Sequence, residues 1–330
     1  MKNSVPEFIS HYYDHLHLIS DRLTQDKFYQ AIRQTVRNGD VVVDIGTGSG
    51  IHAMFACLAG AKKVYAIEGT PIIEFAKRAA RENGLLDRIR FIRGFSQEID
   101  LPQKADVVIH HMGVTGVLQN LTDARRRFLK KGGDLIPFGV EFSFVPVDDR
   151  AVYSEKIDFW SRSHYGLKFD SFRPFMVNQL YPVRFEERNF IARPKRMPLI
   201  DLRRTDTNRF NWRIKFTAKK SGVLSGLGSW YSYRLSEKSE SRGAPLVLQR
   251  DSWMHKFLPL ENPLKIMKND LIQADISLIL TASVPDGAVW NWTVKVNGTG
   301  SEQSSFKSLP LSGNFLMSTE QTRLRQPALQ

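Results

Sequence analysis

The sequence predicts a doubly wound α/β domain followed by a mainly β, barrel-like domain, and three features of its 330 residues support this. Short β-branched runs alternate with helical stretches up to Pro137, which is typical of a parallel sheet covered by helices. A glycine-rich turn follows the first of these runs. Beyond Pro137 the chain changes to short alternating strands between Gly, Asn and Asp turns, which favours a barrel or sandwich.

In the first part, apolar periodicity predicts each element in turn. Pro71 suits the first turn of a helix, and Asn83-Gly84 marks the end of that helix. Gly132-Gly133 is interpreted as the break after another helix. The expected elements are helices 7–20 and 24–37, strand 41–45, helix 49–59, strand 63–68, helix 71–83, strands 89–93 and 105–110, helix 121–131 and strand 134–137.

The second part contains strand-like segments such as FNWRIKFTA and LIQADISLIL, in which apolar and polar residues alternate. Residues 150–180 differ from them because they are more helical and aromatic in pattern. We therefore expect an arm inserted into the β domain.

The segment Val41 to Gly50, VVVDIGTGSG, predicts a ligand site at the end of the first strand. Gly46, Gly48 and Gly50 allow a sharp turn and a close approach of backbone to ligand. A dinucleotide fingerprint, G-x-G-x-x-G, fails because the sixth position counted from Gly46 is Ile51. Asp44 would repel a diphosphate but suits a cationic amino-acid group. S-adenosylmethionine carries such a cation, so it is the predicted cofactor.

A second acid strengthens this prediction. The run AKKVYAIEGT, residues 61–70, ends its strand at Glu68. In a βαβ unit an acid at this place meets the ribose hydroxyls of a nucleotide. The alternative is that the glycines form only a tight strand-to-helix turn and that Glu68 is a solvated loop acid.

Composition is consistent with an intracellular, cytoplasmic enzyme. The net charge is +13, and the start of the chain lacks the basic and apolar segments of a signal peptide. No apolar run is long enough to cross a bilayer. Cys57 is the only cysteine and is expected to pack as a small core residue. Arg125 to Arg127 are expected to lie on a solvated helix face, and no motif specific for nucleic acid is present.

The order of these segments resembles the protein arginine methyltransferases over nearly the whole chain. The resemblance is strongest in residues 44–70, 91–109 and 132–142, while residues 12–14 and 251–272 match an opening tyrosine motif and a barrel-edge Thr-His-Trp loop. It implies a Rossmann-like methyltransferase domain over 1–137, a β-barrel-like substrate domain over 138–330 with a dimerisation arm at 150–180, and a homodimer. The implied cofactor-binding residues are Asp44, Gly46, Gly48, Gly50, Glu68, Gly69, Phe95, Ser96, Gln97, Tyr13 and Asp21.

The chain departs from the family where the acceptor is expected to bind. A guanidinium stays cationic and needs carboxylates to hold it, and the family supplies two glutamates. The matching positions here carry His110 and Gln119. Ser252 stands at the histidine position of the Thr-His-Trp loop, next to Trp253, and Thr24 stands where an arginine would meet the cofactor carboxylate.

These departures suggest a methyltransferase acting on an oxygen or nitrogen other than a guanidinium, in a small molecule or a peptide. His110 would be the base or would position the acceptor, which Gln119 would orient. His111 is the alternative to His110. An arginine methyltransferase with relocated acids and a non-catalytic, cofactor-binding homologue remain as alternatives. No metal is expected.

Overall fold

The computed structural model describes residues 15–237, 246–249, 255–281 and 287–304. The chain divides into two compact units. The first contains Met1–Glu141 with two later segments, Leu199–Asp206 and Ser232–Gln249; the second contains Phe142–Pro198, Thr207–Tyr231 and Arg250–Gln330. The sequence predicted one boundary after residue 137 and gave no sign that later segments return to the first unit.

The first unit is built on a five-stranded parallel sheet with the order β3-β2-β1-β4-β5. Every residue of β1 is buried, as its β-branched sequence predicts. The elements in chain order are α1 (15–20), α2 (Arg22–Thr35), β1 (Val41–Ile45), α3 (Ile51–Leu58), β2 (Lys63–Glu68), α4 (Ile73–Glu82), β3 (Ile89–Arg93), β4 (Ala105–His110), α5 (Val114–Arg127) and β5 (Leu129–Ile136).

The strand order reverses between β1 and β4, which are neighbours in the sheet. Ile45 of β1 pairs with Ile67 of β2 on one side and with His110 of β4 on the other. In open α/β sheets ligands bind at the carboxyl ends of the strands where the order reverses. The sheet therefore brings the ends of β1, β2 and β4 together at such a point.

The helix predicted at 121–131 is wrong in its bounds. α5 begins at Val114, and residues 129–131 already belong to β5. Gly132 and Gly133 do not break the chain; they lie inside β5, at a register shift opposite Ala105 and Val107. Glycine inside a strand accommodates such an irregularity.

From Gly139 onward the structure is mainly β. A four-stranded antiparallel sheet has the order β10-β14-β15-β16, and a second sheet has the path β7-β13-β11-β6-β8, with β12 paired to β11 and β9 to β6. The strands are β6 (Gly139–Val147), β7 (Tyr181–Val183), β8 (Lys195–Arg196), β9 (Ile200–Asp201), β10 (Arg209–Thr217), β11 (Gly222–Ser236), β12 (Leu246–Gln249), β13 (His255–Ile266), β14 (Leu271–Leu280), β15 (Ala288–Val296) and β16 (Thr299–Ser304).

The four-stranded sheet shows the period-two burial that its sequence predicts. Trp212 and Phe216 of β10 are buried, whereas Arg213 and Lys215 between and beside them are exposed. One face of this sheet therefore forms core, and the other is polar. Closure of the strands into a barrel stays a prediction.

The arm predicted at 150–180 contains helices α6 (Arg150–Lys156) and α7 (Arg173–Met176) and two short 3-10 helices. Trp160 and Phe172 stack at 5.1 Å between ring centroids. Phe159 and Tyr165 are exposed at 41% and 103%. Within the described residues, no helix is both long and apolar enough to span a bilayer.

Candidate active site

The turn after β1 has the backbone conformation that its glycines were predicted to supply. Gly46, Gly48 and Gly50 have φ values of 65°, 53° and 81°, and Gly50 caps the start of α3. These values lie in the left-handed region, which side chains with a Cβ rarely adopt. The turn thus presents bare backbone at the end of β1.

Glu68 is fixed beside this turn by two hydrogen bonds. Its Oε2 accepts from the Gly48 N–H at 2.9 Å, and its Oε1 accepts from the Thr70 N–H at 2.8 Å. The residue is 9% exposed. Glu68 is therefore not the solvated loop acid of the alternative interpretation: it joins the end of β2 to the glycine turn.

Asp44 lies deeper, at 1% exposure. Its carboxylate accepts from the Thr47 hydroxyl and from the backbone N–H of Ala53. Burial raises the pKa of Asp44 from 3.8 to about 7; the two hydrogen bonds oppose the rise, and the nearby Glu68 adds to it. A buried acid of this kind, near the strand end, is suited to pair with a ligand cation.

The residues predicted for the adenine side gather next to Glu68. The Phe95 ring lies against Gly69 so closely that a Cβ on Gly69 would be 2.8 Å from its Cε1 atom. Phe95 is 62% exposed, whereas Ser96 is buried and Gln97 is exposed. Arg127 of α5 donates to the Ser96 carbonyl at 2.9 Å and holds this loop in place.

His110, at the end of β4, is fully buried and hydrogen-bonded at both ring nitrogens. Its Nδ1–H donates to the Ile45 carbonyl at 2.7 Å, and its Nε2 accepts from the Asn120 amide at 3.0 Å. Burial lowers its pKa from 6.5 to about 4, against the effect of its backbone contacts with Ile45 and Gly116. The ring is therefore neutral at pH 7 and lies beside Gly46.

His111 lies in a different environment from His110. Its ring contacts Phe28 at 4.4 Å and His52 at 5.3 Å between centroids. His52 in turn donates to Gln25 of α2 at 3.1 Å. The side chains of the two adjacent histidines therefore have different neighbours. His111 belongs to a cluster of rings with Phe28 of α2 and His52 of α3.

Gln119 is half-buried on α5, one residue before Asn120. Adjacent helix residues point about 100° apart, so the two amides face different directions. It is Asn120, and not Gln119, whose amide reaches His110.

Asp21 is the N-cap of α2. Its carboxylate accepts from the Thr24 N–H at 3.2 Å and from the Thr24 hydroxyl. Thr24, which stands at the arginine position of the resemblance, is buried. Tyr12, Tyr13, Asp14, Ser252 and Trp253 lie outside the described residues.

Four further residues shape this region without having been predicted to do so. His15 of α1 lies so close to the turn that a Cβ on Gly48 would be 2.5 Å from its ring. Asn120 and Tyr233 act through contacts between distant parts of the chain, which no local sequence pattern signals. Arg127 was expected on a solvated face, but its guanidinium is 28% exposed and bonded to the loop carbonyls.

Arg125 also departs from that expectation, since it donates to the Leu202 carbonyl at 3.1 Å and pairs with Asp206. In the described part of the chain, no group of three His, Cys, Asp or Glu side chains is placed to hold a metal ion.

Two protein families match successive parts of the chain. Residues 24–141 match the ribosomal protein L11 methyltransferase (PrmA) family. Residues 141–285 match the arginine methyltransferase oligomerization subdomain.

Among curated relatives, the probable histone-arginine methyltransferase 1.3 of Arabidopsis thaliana is 29% identical over 322 residues, covering 89% of this chain and 59% of the relative. Protein arginine N-methyltransferase 6 of Xenopus laevis is 25% identical over 287 residues, covering 80% of this chain and 83% of the relative. The chain spans 55% to 60% of the length of three Arabidopsis relatives.

Two solved structures share the fold. One is the Trypanosoma brucei PRMT1 enzyme-prozyme heterotetrameric complex with AdoHcy, at TM-score 0.79 and 20% identity, covering 89% of this chain and 98% of that chain. The other is Arabidopsis thaliana protein arginine methyltransferase 10, at TM-score 0.72 and 21% identity, covering 89% and 97%.

The parallel sheet, the glycine turn and the two family matches define the class, which is that of Rossmann-like methyltransferases with a C-terminal antiparallel β domain. Within this class, the chain is similar to the S-adenosylmethionine-dependent protein arginine methyltransferases.

Proposed function

We propose that this chain transfers the methyl group of S-adenosylmethionine to an oxygen or nitrogen other than that of a guanidinium, in a small molecule or a peptide. One observation carries the proposal: where the resemblance places a glutamate, the end of β4 holds the buried and neutral His110. The His110 ring itself offers no negative charge to a cation at that position.

On the cofactor side, the residues present fit the group. Asp44 would pair with the ammonium, Glu68 would accept from the ribose hydroxyls, and Phe95 and Gln97 would line the adenine. When bound, the cofactor supplies a methyl group on a positively charged sulfur. The protein's contribution is then to orient the acceptor for in-line attack and to exclude water.

Two acids that follow the segment from His110 to Thr122 pair with arginines. Asp123 pairs with Arg127 at 3.2 Å, and Glu141 pairs with Arg234 at 2.7 Å. The segment from His110 to Thr122 contains no Asp or Glu. These observations support an acceptor that is neutral when it reacts.

His110 fits a positioning role better than the role of base. A general base works best when its pKa lies near the working pH, and a pKa of about 4 makes this ring a weak proton acceptor at neutral pH. Its Nε2 also already accepts from Asn120. We therefore assign His110 to the wall that orients the acceptor, together with Gln119.

Two other functions have specific support. The curated relatives carry the name of arginine methyltransferases, which favours an arginine methyltransferase with relocated acids. One structural neighbour is a complex of an enzyme with a prozyme, which favours a cofactor-binding homologue that acts through a partner.

One experiment separates the three functions. The full chain is titrated calorimetrically with S-adenosylhomocysteine and then incubated with labelled S-adenosylmethionine and three peptide sets, presenting hydroxyl, amine or guanidinium groups. We expect binding, together with label on hydroxyl or amine. Label on guanidinium would contradict our proposal and indicate an arginine methyltransferase with relocated acids. Binding without transfer to any peptide set or to small molecules would indicate a non-catalytic, cofactor-binding homologue.

A gain-of-function variant sharpens the test. His110→Glu with Gln119→Glu places carboxylates at both family positions. If missing anions are what excludes guanidinium, this double variant will label the arginine peptide more than the native chain does. His110→Gln with Gln119→Glu is the matched control, because it adds only one of the two carboxylates.

We further propose that the chain forms a homodimer through residues 150–180 and acts in the cytoplasm. The match to an oligomerization subdomain and the exposed Phe159 and Tyr165 support the dimer. Light scattering of the native chain and of Tyr165→Ser tests it. A native monomer would contradict the dimer, whereas a shift to monomer in the variant alone would support it.

A further inference from the structure

A chain of hydrogen bonds leads from the adenine-side loop to His110. The Ser96 hydroxyl donates to Gln97 Oε1 at 3.4 Å, and Gln97 Nε2 donates to Asn120 Oδ1 at 2.6 Å. Asn120 Nδ2 donates to His110 Nε2 at 3.0 Å, and His110 Nδ1 donates to the Ile45 carbonyl at 2.7 Å. Every donor in this chain points in the same direction, toward β1.

This direction is tied to the protonation state of the ring. A carbonyl oxygen can only accept, so the contact with Ile45 requires a hydrogen on Nδ1. If the Asn120 amide were turned over, its oxygen would face Nε2, and that nitrogen would then need a hydrogen as well. One orientation of Asn120 thus matches a neutral imidazole and the other an imidazolium.

Gln97 decides between the two orientations. It presents its NH2 group to Asn120, so the Asn120 oxygen is held on the Gln97 side and the Asn120 NH2 group on the His110 side. Gln97 itself is exposed, whereas His110 is fully buried. An exposed amide is therefore connected to a buried ring through one intermediate residue.

We propose that Asn120 and Gln97 are positioning residues that hold His110 neutral and protonated at Nδ1, so that the acceptor side of the site stays uncharged. This proposal rests on the proposed function in one respect only, which is the role of an uncharged surface beside the bound acceptor. There, a neutral ring spares the cofactor's cationic sulfur a like charge and leaves a cationic acceptor uncompensated.

The surroundings of His110 support this control. Its neighbours from β1, the following loop and α5 are Ile45, Gly46, Met112, Gly116 and Asn120, which carry no charge. On the adjacent strand β1, Asp44 directs its carboxylate to Thr47. His111, which directly follows β4, packs against Phe28. Burial lowers the pKa of His110 and the backbone contacts with Ile45 and Gly116 oppose it, with no contribution from a charged side chain in the described part of the chain.

The test is a histidine-selective NMR titration of the full-length protein. His110 is one of eight histidines, and its signal is assigned by its loss in His110→Gln. In the native chain we expect an Nδ1-protonated neutral ring with a pKa well below 6.5. In Gln97→Glu, a carboxylate facing the Asn120 oxygen will turn the amide over, and the His110 pKa will rise by about one unit or more.

Matched variants complete the test. Gln97→Leu removes the donor that holds Asn120 without adding charge, so the pKa of His110 is expected to rise, but by less than in Gln97→Glu. Asn120→Asp places an acceptor directly at Nε2 and should raise the pKa more than Gln97→Glu does. Because Gln97 is exposed, its variants test this series of hydrogen bonds even if Asn120→Asp does not fold.

An Nε2-protonated ring in the native protein would overturn the proposal. So would a Gln97→Glu protein that folds and leaves the His110 pKa unchanged. Neither result depends on turnover: failure of the proposed function appears instead as absent binding of S-adenosylhomocysteine or absent methyl transfer in the assays above.

Discussion

The hydroxyl of Tyr233 donates a hydrogen bond of 2.8 Å to the carbonyl oxygen of Met112, although 121 residues separate the two along the chain. Tyr233 is fully buried, and Met112 lies in the loop between β4 and α5. This loop directly follows His110, and its Met112 sulfur would lie 3.5 Å from a Cβ placed on Gly46. A strand from much later in the sequence therefore holds the loop that follows His110.

Tyr233→Phe removes this hydrogen bond and leaves the ring in place. We expect a loss of about 1 kcal/mol in the free energy of unfolding, as is usual for one buried hydrogen bond. Methyl transfer should slow while the affinity for S-adenosylhomocysteine stays unchanged, because this hydrogen bond lies after β4 whereas the proposed cofactor residues lie at or after the ends of β1, β2 and β3. Chemical denaturation, calorimetry and a transfer assay measure these three quantities. Tyr29→Phe on α2 is the control. A cofactor affinity that falls in Tyr233→Phe would contradict the view that this hydrogen bond acts on the loop after His110 and not on the cofactor site.

Glu68→Gln is expected to weaken cofactor binding by about 10- to 100-fold. Both Glu68 oxygens accept from backbone N–H groups, and an amide would place an NH2 group against one of these donors. Hydrogen bonds to charged groups contribute about 1.5–3 kcal/mol, which sets the expected range. Calorimetry with S-adenosylhomocysteine measures it, and Glu82→Gln, exposed at the end of α4, is the matched control. Unchanged affinity in Glu68→Gln would remove this residue from the cofactor site.

Cofactor binding should tighten as pH rises through about 7. The pKa of Asp44 is raised to about 7 by burial, so at lower pH the carboxyl is protonated and must lose its proton to pair with the cofactor ammonium. Below that pKa, affinity is expected to fall by up to about tenfold per pH unit. Calorimetry in buffers of different ionisation enthalpy would detect the released proton. Asp44→Asn should bind more weakly with no such pH dependence, and an equally steep dependence in that variant would contradict the role of Asp44.

His110→Gln should change how stability responds to acid. The folded-state pKa of His110, about 4, lies below its ordinary value of 6.5. The contribution of the neutral ring to stability is therefore complete above pH 6.5 and is lost as pH falls toward 4, by up to about 1.4 kcal/mol per pH unit. The native chain should lose more unfolding free energy than His110→Gln over this interval, as measured by urea denaturation. Equal losses of unfolding free energy in the two proteins would mean that the folded-state pKa of His110 does not lie below its ordinary value.

The predicted elements with strong local patterns have the bounds expected of them, as β1, β2, β3 and β4 show. Buried strands with β-branched residues are marked by composition alone, so their position follows from short-range sequence. The bounds of α5 and β5 were mispredicted because Gly132 and Gly133 accommodate a register shift between strands, and such a shift depends on the pairing partner.

The sequence by itself determined the parallel sheet, the glycine turn and the two acids, Asp44 and Glu68, because strand periodicity and the spacing of residues from a strand end are local properties. Only the tertiary structure decided that His110 is a neutral ring held between Ile45 and Asn120. Ile45 lies 65 residues from His110 in the sequence, and Asn120 reaches it from the following helix. The protonation of a buried side chain depends on which groups surround it in space, and folding alone brings those groups together.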